Sequence, residues 1–288
     1  MKIGFLGTGL MGEPMAERLL QAGLEVVAYN RTKSKLEPLK ASGAEIAESP
    51  EDAIATADCI ILMLTNAQAI EQVLLSDASK QHLSGCTVIQ MSTIAPSESR
   101  EIQKAVNAAG GDYLEAPVLG SIPQVKSGEL QVMVGATREL FNKWSDLLKN
   151  FGTEPILIGE VGSASALKLA LNQLIASLTS AFSLSLGFIQ RQGVDVEKFM
   201  EILRESALYA PTFDKKLKRM VEGNYANPNF PSKHLLKDTD LFLHEAQLVE
   251  QNVSGLEGVR KVVDMALQLG LADADYSALF EAINPKQD

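Results

Sequence analysis

Cysteine and histidine are scarce in this 288-residue chain, with two of the first and three of the second. Cys59 and Cys86 cannot build a disulfide framework. Both sit in apolar, strand-like runs and read as small buried hydrophobes of a reducing, cytoplasmic setting. Three scattered histidines offer no metal-ligand spacing, so no metal site is expected. Positive charge is also short: 26 Lys and Arg against 36 Asp and Glu leave a net charge of −10. That balance argues against an electrostatic grip on nucleic acid. Internal repeats and low-complexity segments are lacking, and the chain enters a strand pattern at once, which leaves no room there for a signal peptide. From Leu169 to Gln190 charge is missing altogether, a length that in principle spans a bilayer. Asn172, Gln173, Ser177, Thr179, Ser180, Ser183 and Ser185 make that stretch too polar for lipid. A long helix between protein layers is expected instead, and no membrane.

What is present begins with Gly7-Thr8-Gly9-Leu10-Met11-Gly12, directly after the apolar run Ile3–Leu6. This is G-x-G-x-x-G where a strand should turn into a helix. Gly7 allows the tight turn, Gly9 lets backbone approach a pyrophosphate, and Gly12 lets the helix pack close to its strand. The helix N-terminus, reached through Leu10 and Met11, presents N–H groups and a positive dipole end to phosphates. A purely structural glycine turn is the alternative. The strand before it and the helical pattern after it favour a dinucleotide site.

Strand and helix patterns then alternate through the first 160 residues. Apolar runs at Val26–Tyr29, Cys59–Leu64 and Thr87–Met91 are separated by helix-like Pro50–Ala57 and Ser97–Ala109. Tyr113–Val118, Leu130–Val134 and Pro155–Ile158 look like further strands, with a helix at Thr137–Asn150 between the last two. Alternation of this kind predicts a parallel sheet with helices on both faces. After Gly162 only helical periodicity remains, and a helix from near Ser163 should run to Arg191. The expectation is an α/β Rossmann domain, doubly wound and mainly parallel, over residues 1–162. An all-helical domain for substrate and oligomerisation would follow over 163–288, joined by the long helix.

The second strand ends in Asn30-Arg31-Thr32, where an acidic residue normally sits when a ribose 2′-OH is bound. A carboxylate would repel a 2′-phosphate, whereas Arg31 can bind one bidentately. The tip therefore predicts NADP, with NADPH preferred over NADH; a solvated turn with a surface arginine is the bland reading.

Five stretches together resemble the β-hydroxyacid dehydrogenases, the family of 3-hydroxyisobutyrate dehydrogenase. They are Gly4–Ala16, Ser92–Pro96, Glu115–Gly120, Gly162–Asn172 and Lys237-Asp238, which in this order span nearly the whole chain. The Asn-Arg-Thr tip and the Glu-Ala-Pro-Val block look most like the glyoxylate and succinic semialdehyde reductase branch. The resemblance implies hydride transfer with a nicotinamide, a small carbonyl substrate carrying a carboxylate, and a homodimer or homotetramer. It makes Lys168 the catalytic lysine and gives Asn172, one helical turn on, the task of orienting it or the substrate. It also places Leu64, Thr65 and Thr93 along the cofactor and brings Lys237 to it from the helical domain. Phe230 could wall off the nicotinamide, although a core aromatic is the plainer reading.

The chemistry suits Lys168 independently. A carbonyl accepting hydride develops negative charge on oxygen, and a positioned ammonium stabilises that charge and supplies the proton. A surface lysine whose stem covers apolar area is the competing reading. For Asn172 the alternative is a buried tie to backbone, for Thr93 a cap of the helix that follows, and for Lys237 a solvated helix face.

The substrate block departs from the family pattern. Leu119 stands where that pattern has serine, leaving Gly120 and Ser121 to offer backbone N–H groups and one hydroxyl to a carboxylate. Two further readings stay open: imine reduction on the same fold, which Lys168 disfavours, and a non-catalytic NADP-binding regulator, which Leu119 favours.

Overall fold

The computed structural model describes residues 1–285. Strands β1 (Lys2–Leu6), β2 (Glu25–Tyr29), β3 (Glu45–Ile46), β4 (Cys59–Leu62), β5 (Thr87–Gln90) and β6 (Asp112–Glu115) pair in parallel in the order β3-β2-β1-β4-β5-β6. That is the doubly wound dinucleotide-binding order, whose direction reverses between β1 and β4. Three further strands extend the sheet: β7 (Val118–Leu119), β8 (Gln131–Gly135) and β9 (Ile156–Gly159). Strand β8 runs antiparallel to β6 and β7 and parallel to β9.

Both faces of the sheet are covered, and the alternation along its strands shows it. Ile3, Phe5, Cys59, Ile61 and Ile89 belong to one apolar cluster, with Met15, Leu19, Val132 and Trp144. Leu6, Ile60, Leu62 and Val88 belong to the other, with Ile54, Ile102 and Tyr113. Burial on both faces makes these strands near-continuous apolar runs.

Two details differ from the expected strand limits. The run Tyr113–Val118 is not one strand: β6 stops at Glu115, and Pro117, which has no N–H for the ladder, separates it from β7. Strand β4 ends at Leu62, not Leu64. The Met63 N–H still reaches Leu6 O at 2.9 Å, but the Leu64 N–H turns away to the Ser92 hydroxyl at 2.7 Å.

The chain divides into two compact units, Met1–Lys168 and a second from Leu169 onward, so the first turn of the long helix Ser163–Arg191 belongs with the sheet. The second unit adds helices Val196–Arg204, Pro211–Glu222, Ser232–Leu248, Ser254–Gln268 and Leu279–Ile283, with no strand among the described residues. By length and composition the long helix could cross a membrane, with mean hydropathy 1.4 over its most apolar window. Its inward residues serve the helical core instead. Ala176 packs with Leu235, Val263 and Leu279, while Phe182 and Leu186 pack with Met200, Phe213 and Met220.

Candidate active site

The carboxyl edge of the sheet gathers the loops after β1, β2, β4 and β5. Gly7 turns at φ +103°, and its N–H donates to Tyr29 O at 2.9 Å. A side chain there would lie 2.3 Å from Met63 O, and a Cβ on Gly12 would lie 1.9 Å from Gly7 O. These two glycines let loop, strand and helix close on one another. Gly9 is different: a Cβ added to it meets nothing within 4 Å. The helix Gly12–Gln21 has no side-chain cap on its N-terminus, and Leu10 beside it is half exposed. First-turn N–H groups, a positive dipole end and open backbone at Gly9 fit a dinucleotide pyrophosphate.

The tip of β2 is built around Asn30. Its Nδ2 donates to Thr8 Oγ1 at 2.8 Å, and its Oδ1 accepts the Thr32 N–H at 3.0 Å. The Asn30 amide thus ties the tip to the glycine loop rather than pointing outward. Arg31 beyond it is exposed, while Lys33 pairs with Glu48. No carboxylate stands in the Asn30–Thr32 tip, so the residues present accommodate a ribose phosphate without repulsion.

At the neighbouring edge Gln90 grips Ser92, accepting its N–H and donating to its carbonyl at 3.1 Å. Ser92 in turn holds Leu64. That relay ties the loop after β4 to Ser92, whose neighbour Thr93 is half-buried. The helix Pro96–Ala108 follows. The cap position is Ala95, whose N–H donates to Glu98 Oε2 at 2.8 Å.

The substrate block continues from β6. Leu119, half-buried, pairs with Gln131 in β8, and Gly120 turns at φ +136°. Next comes a short helix not anticipated from the sequence, Ile122–Ser127, capped by Ser121. The Ser121 N–H and hydroxyl both donate to Gln124 Oε1, at 3.0 and 2.8 Å. Of the three donors expected to meet a substrate carboxylate, the two of Ser121 are therefore engaged within the chain. The signal was local: Ser121-x-x-Gln124 is a capping box.

Lys168 and Asn172 lie one turn apart on the long helix and are buried, at 8% and 3% exposure. In the second unit Asn172 Nδ2 donates to Asp238 Oδ2 at 2.7 Å, and Lys237 Nζ lies 2.8 Å from Asp238 Oδ1. A carboxylate only accepts, so Asp238 fixes which end of the Asn172 amide faces it. Asn172 Oδ1 is buried with no hydrogen-bond partner among the described residues. Lys237 is thus held by its neighbour, 23% exposed along its side chain. Phe230 stacks on His234 and meets Tyr276 edge-on, a packing role in the helical core.

Burial pushes the Cys86 thiol up to about 11 and Cys59 further, and both cysteines are unpaired. No cluster of His, Cys, Asp or Glu suited to a metal occurs among the described residues.

Fold and loops together define a dinucleotide-binding protein of the doubly wound α/β class. Comparison with known proteins narrows the class. The NAD binding domain of 6-phosphogluconate dehydrogenase matches residues 2–159, and the NAD-binding domain of NADP-dependent 3-hydroxyisobutyrate dehydrogenase matches residues 162–283. Glyoxylate/succinic semialdehyde reductase 2 of Arabidopsis thaliana, a chloroplastic protein, is 34% identical over 98% of this chain and 79% of its own length. Reductase 1 of the same plant is 32% identical over 98% of both chains. The 3-hydroxyisobutyrate dehydrogenase of Mycobacterium tuberculosis shares the fold at a TM-score of 0.89, with 20% identity and 98% of each chain covered. The chain belongs to the β-hydroxyacid dehydrogenase family of 3-hydroxyisobutyrate dehydrogenase, nicotinamide-dependent oxidoreductases that act on CH–OH groups of small molecules.

Proposed function

We propose that this chain reduces a small aldehyde or keto acid, such as succinic semialdehyde or glyoxylate, to the hydroxy acid with NADPH. The observation that carries the reading is the Lys168–Asn172 pair: two buried polar side chains one turn apart, the second with an unpartnered carbonyl oxygen. Gly7, Gly9, Leu10, Met11 and Gly12 would hold the pyrophosphate, Arg31 and Thr32 the ribose phosphate, and Leu64, Thr65 and Thr93 the nicotinamide half. Bound there, NADPH supplies the hydride for the carbonyl carbon. Lys168 stabilises the charge growing on the carbonyl oxygen and gives it a proton. Asn172, its NH₂ held by Asp238, offers Oδ1 to the Lys168 ammonium or to the product hydroxyl. Asp238 also holds Lys237.

The division of labour would follow the chain, with residues 1–162 binding NADP and 163–288 serving substrate and assembly. The exposed apolar residues Leu174, Leu184 and Phe188 on the long helix support a homodimer or homotetramer. Turnover decides the matter. NADPH oxidation should be followed with glyoxylate, succinic semialdehyde, methylmalonate semialdehyde and tartronate semialdehyde. Lys168→Ala should lower kcat by about two to four orders of magnitude while NADPH still binds. Flat traces with all four carbonyls, alongside tight NADPH binding, would favour a regulator instead.

A further inference from the structure

Glu115 is the most deeply enclosed carboxylate of the sheet unit, and none of the roles above uses it. It closes β6 with no exposed surface. A carboxylate taken fully out of water is costly unless its lone pairs are filled. Here five donors fill them. Oε1 accepts the N–H groups of Gly162, Ala164 and Ser165 at 2.8, 2.9 and 3.0 Å. Oε2 accepts the hydroxyls of Ser165, at 2.7 Å, and Ser99. Ser99 is itself 2.9 Å from the Tyr113 hydroxyl, so a donor chain backs the carboxylate from behind.

The surroundings are shaped for this group. Gly135 stands opposite Glu115 in the β6–β8 pair, and a Cβ on it would lie 2.4 Å from Oε1. Gly162 turns at φ +102° to aim its N–H inward. Three of the donors are the opening amides of the long helix, where a negative charge also meets the positive end of the helix dipole. Ser165 precedes Lys168 by three residues, about one helical turn or 4.5 Å along the axis. A local serine or aspartate would have sufficed to cap a helix. A strand residue about fifty positions away does more, because it fixes the helix to the sheet. The same residue leads straight into Ala116–Ser121, the substrate block.

We propose that Glu115 is the positioning residue for Lys168: its carboxylate clamps the first turn of the long helix and so sets where the ammonium stands relative to the substrate block. This rests on the reading of Lys168 as proton donor. Displacing a catalytic group by about an ångström costs on the order of a hundredfold in rate. Glu115→Ala should therefore lower kcat about a hundredfold. Glu115→Gln, which keeps one acceptor oxygen but not the charge, should lower it about tenfold. The KM for NADPH should stay within about twofold in both, since the glycine loop is untouched.

The test is a double-mutant cycle with NADPH and either glyoxylate or succinic semialdehyde. If Glu115 acts through Lys168, Glu115→Gln should have no further effect on kcat in a Lys168→Ala background. Amide exchange in the free protein should also quicken in the Gln variant over residues 162–168 and nowhere in the helix Gly12–Gln21. Wild-type kcat in Glu115→Gln, an equal loss in the Lys168→Ala background, or unaltered exchange over 162–168 each overturns the proposal. Should Glu115→Ala fail to fold, the Gln variant decides alone. Full turnover in Lys168→Ala would remove the proton-donor reading and this inference with it. A crippled Lys168→Ala beside an unaffected Glu115→Gln removes this inference only.

Discussion

Gly9 and Gly12, three residues apart, should respond oppositely to the same methyl group, and their contrast tests the cofactor site. At Gly12 an added Cβ lies 1.9 Å from Gly7 O and 3.2 Å from the Phe5 ring, so Gly12→Ala must push helix from strand. Overpacking of that kind costs roughly 1–3 kcal/mol. At about 2–4 °C per kcal/mol, Tm should fall by about 2–12 °C. At Gly9 a Cβ meets nothing within 4 Å, and the backbone has no positive φ to strain. Gly9→Ala should leave Tm unchanged or raise it by a few degrees, since alanine narrows the unfolded ensemble by about 0.4–1 kcal/mol. Its effect belongs to binding. A methyl group over the open backbone keeps a pyrophosphate from the first-turn N–H groups. A charged hydrogen bond contributes about 1.5–3 kcal/mol, so NADPH Kd should rise about tenfold to a hundredfold or more. Calorimetric melting together with titration of NADPH fluorescence reads both quantities on the same samples. A folded Gly9→Ala that binds NADPH within about twofold of wild type would refute the placement of the pyrophosphate. A larger melting loss at Gly9 than at Gly12 would refute the steric argument.

Other perturbations probe separate parts of the site. Arg31→Ala should weaken NADPH about tenfold to a hundredfold and leave NADH nearly unchanged, as steady-state KM values would show; equal weakening of both removes Arg31 from the 2′-phosphate. Leu119→Ser should shift the ratio of kcat/KM toward glyoxylate and away from succinic semialdehyde by about tenfold, the effect of roughly 1.4 kcal/mol for one regained hydrogen bond. An unchanged ratio means that Leu119 packs into the core. Because burial holds the Cys86 thiol near about 11 and Cys59 higher still, a thiol reagent at mildly alkaline pH should label neither until the chain unfolds. Labelling of the native protein at the rate of a free thiol contradicts that burial.

Most of the architecture was legible because it depends on near-neighbour patterns. Alternating apolar runs announced the parallel sheet, and G-x-G-x-x-G announced the turn from β1 into its helix. The uncharged stretch after Leu169 announced a helix that the structure extends from Ser163 to Arg191. What failed was also local. Pro117 splits an apparent strand by lacking an N–H, and Ser121-x-x-Gln124 starts a helix that a search for a glycine-rich loop passes over. Both rules were available in the sequence.

The long-range bonds around the candidate site's side chains were not legible, for a different reason. Lys168, Asn172 and Ser121 could be singled out because they lie in blocks that resemble the β-hydroxyacid dehydrogenases, and Lys168 also because a carbonyl accepting hydride calls for a positioned ammonium. Nothing in their neighbourhoods says which distant groups bond to Asn172 and to the turn before Lys168. Asp238 holds the Asn172 amide from 66 residues away, and Glu115 holds the turn before Lys168 from about 50. Both are carboxylates withdrawn from water, which composition would place on the surface. The third case bears on substrate choice. With Gln124 occupying both donors of Ser121, and leucine in place of serine at position 119, three hydrogen bonds available in principle to a short carboxylate are missing. An underpaired carboxylate beside Leu119 is costly, whereas methylenes there are not. The block therefore favours a substrate whose carboxylate lies farther from its carbonyl, succinic semialdehyde over glyoxylate, and Gln124→Ala should narrow that preference by releasing the Ser121 N–H and hydroxyl. A preference unchanged in Gln124→Ala would show that Ser121 does not face the carboxylate.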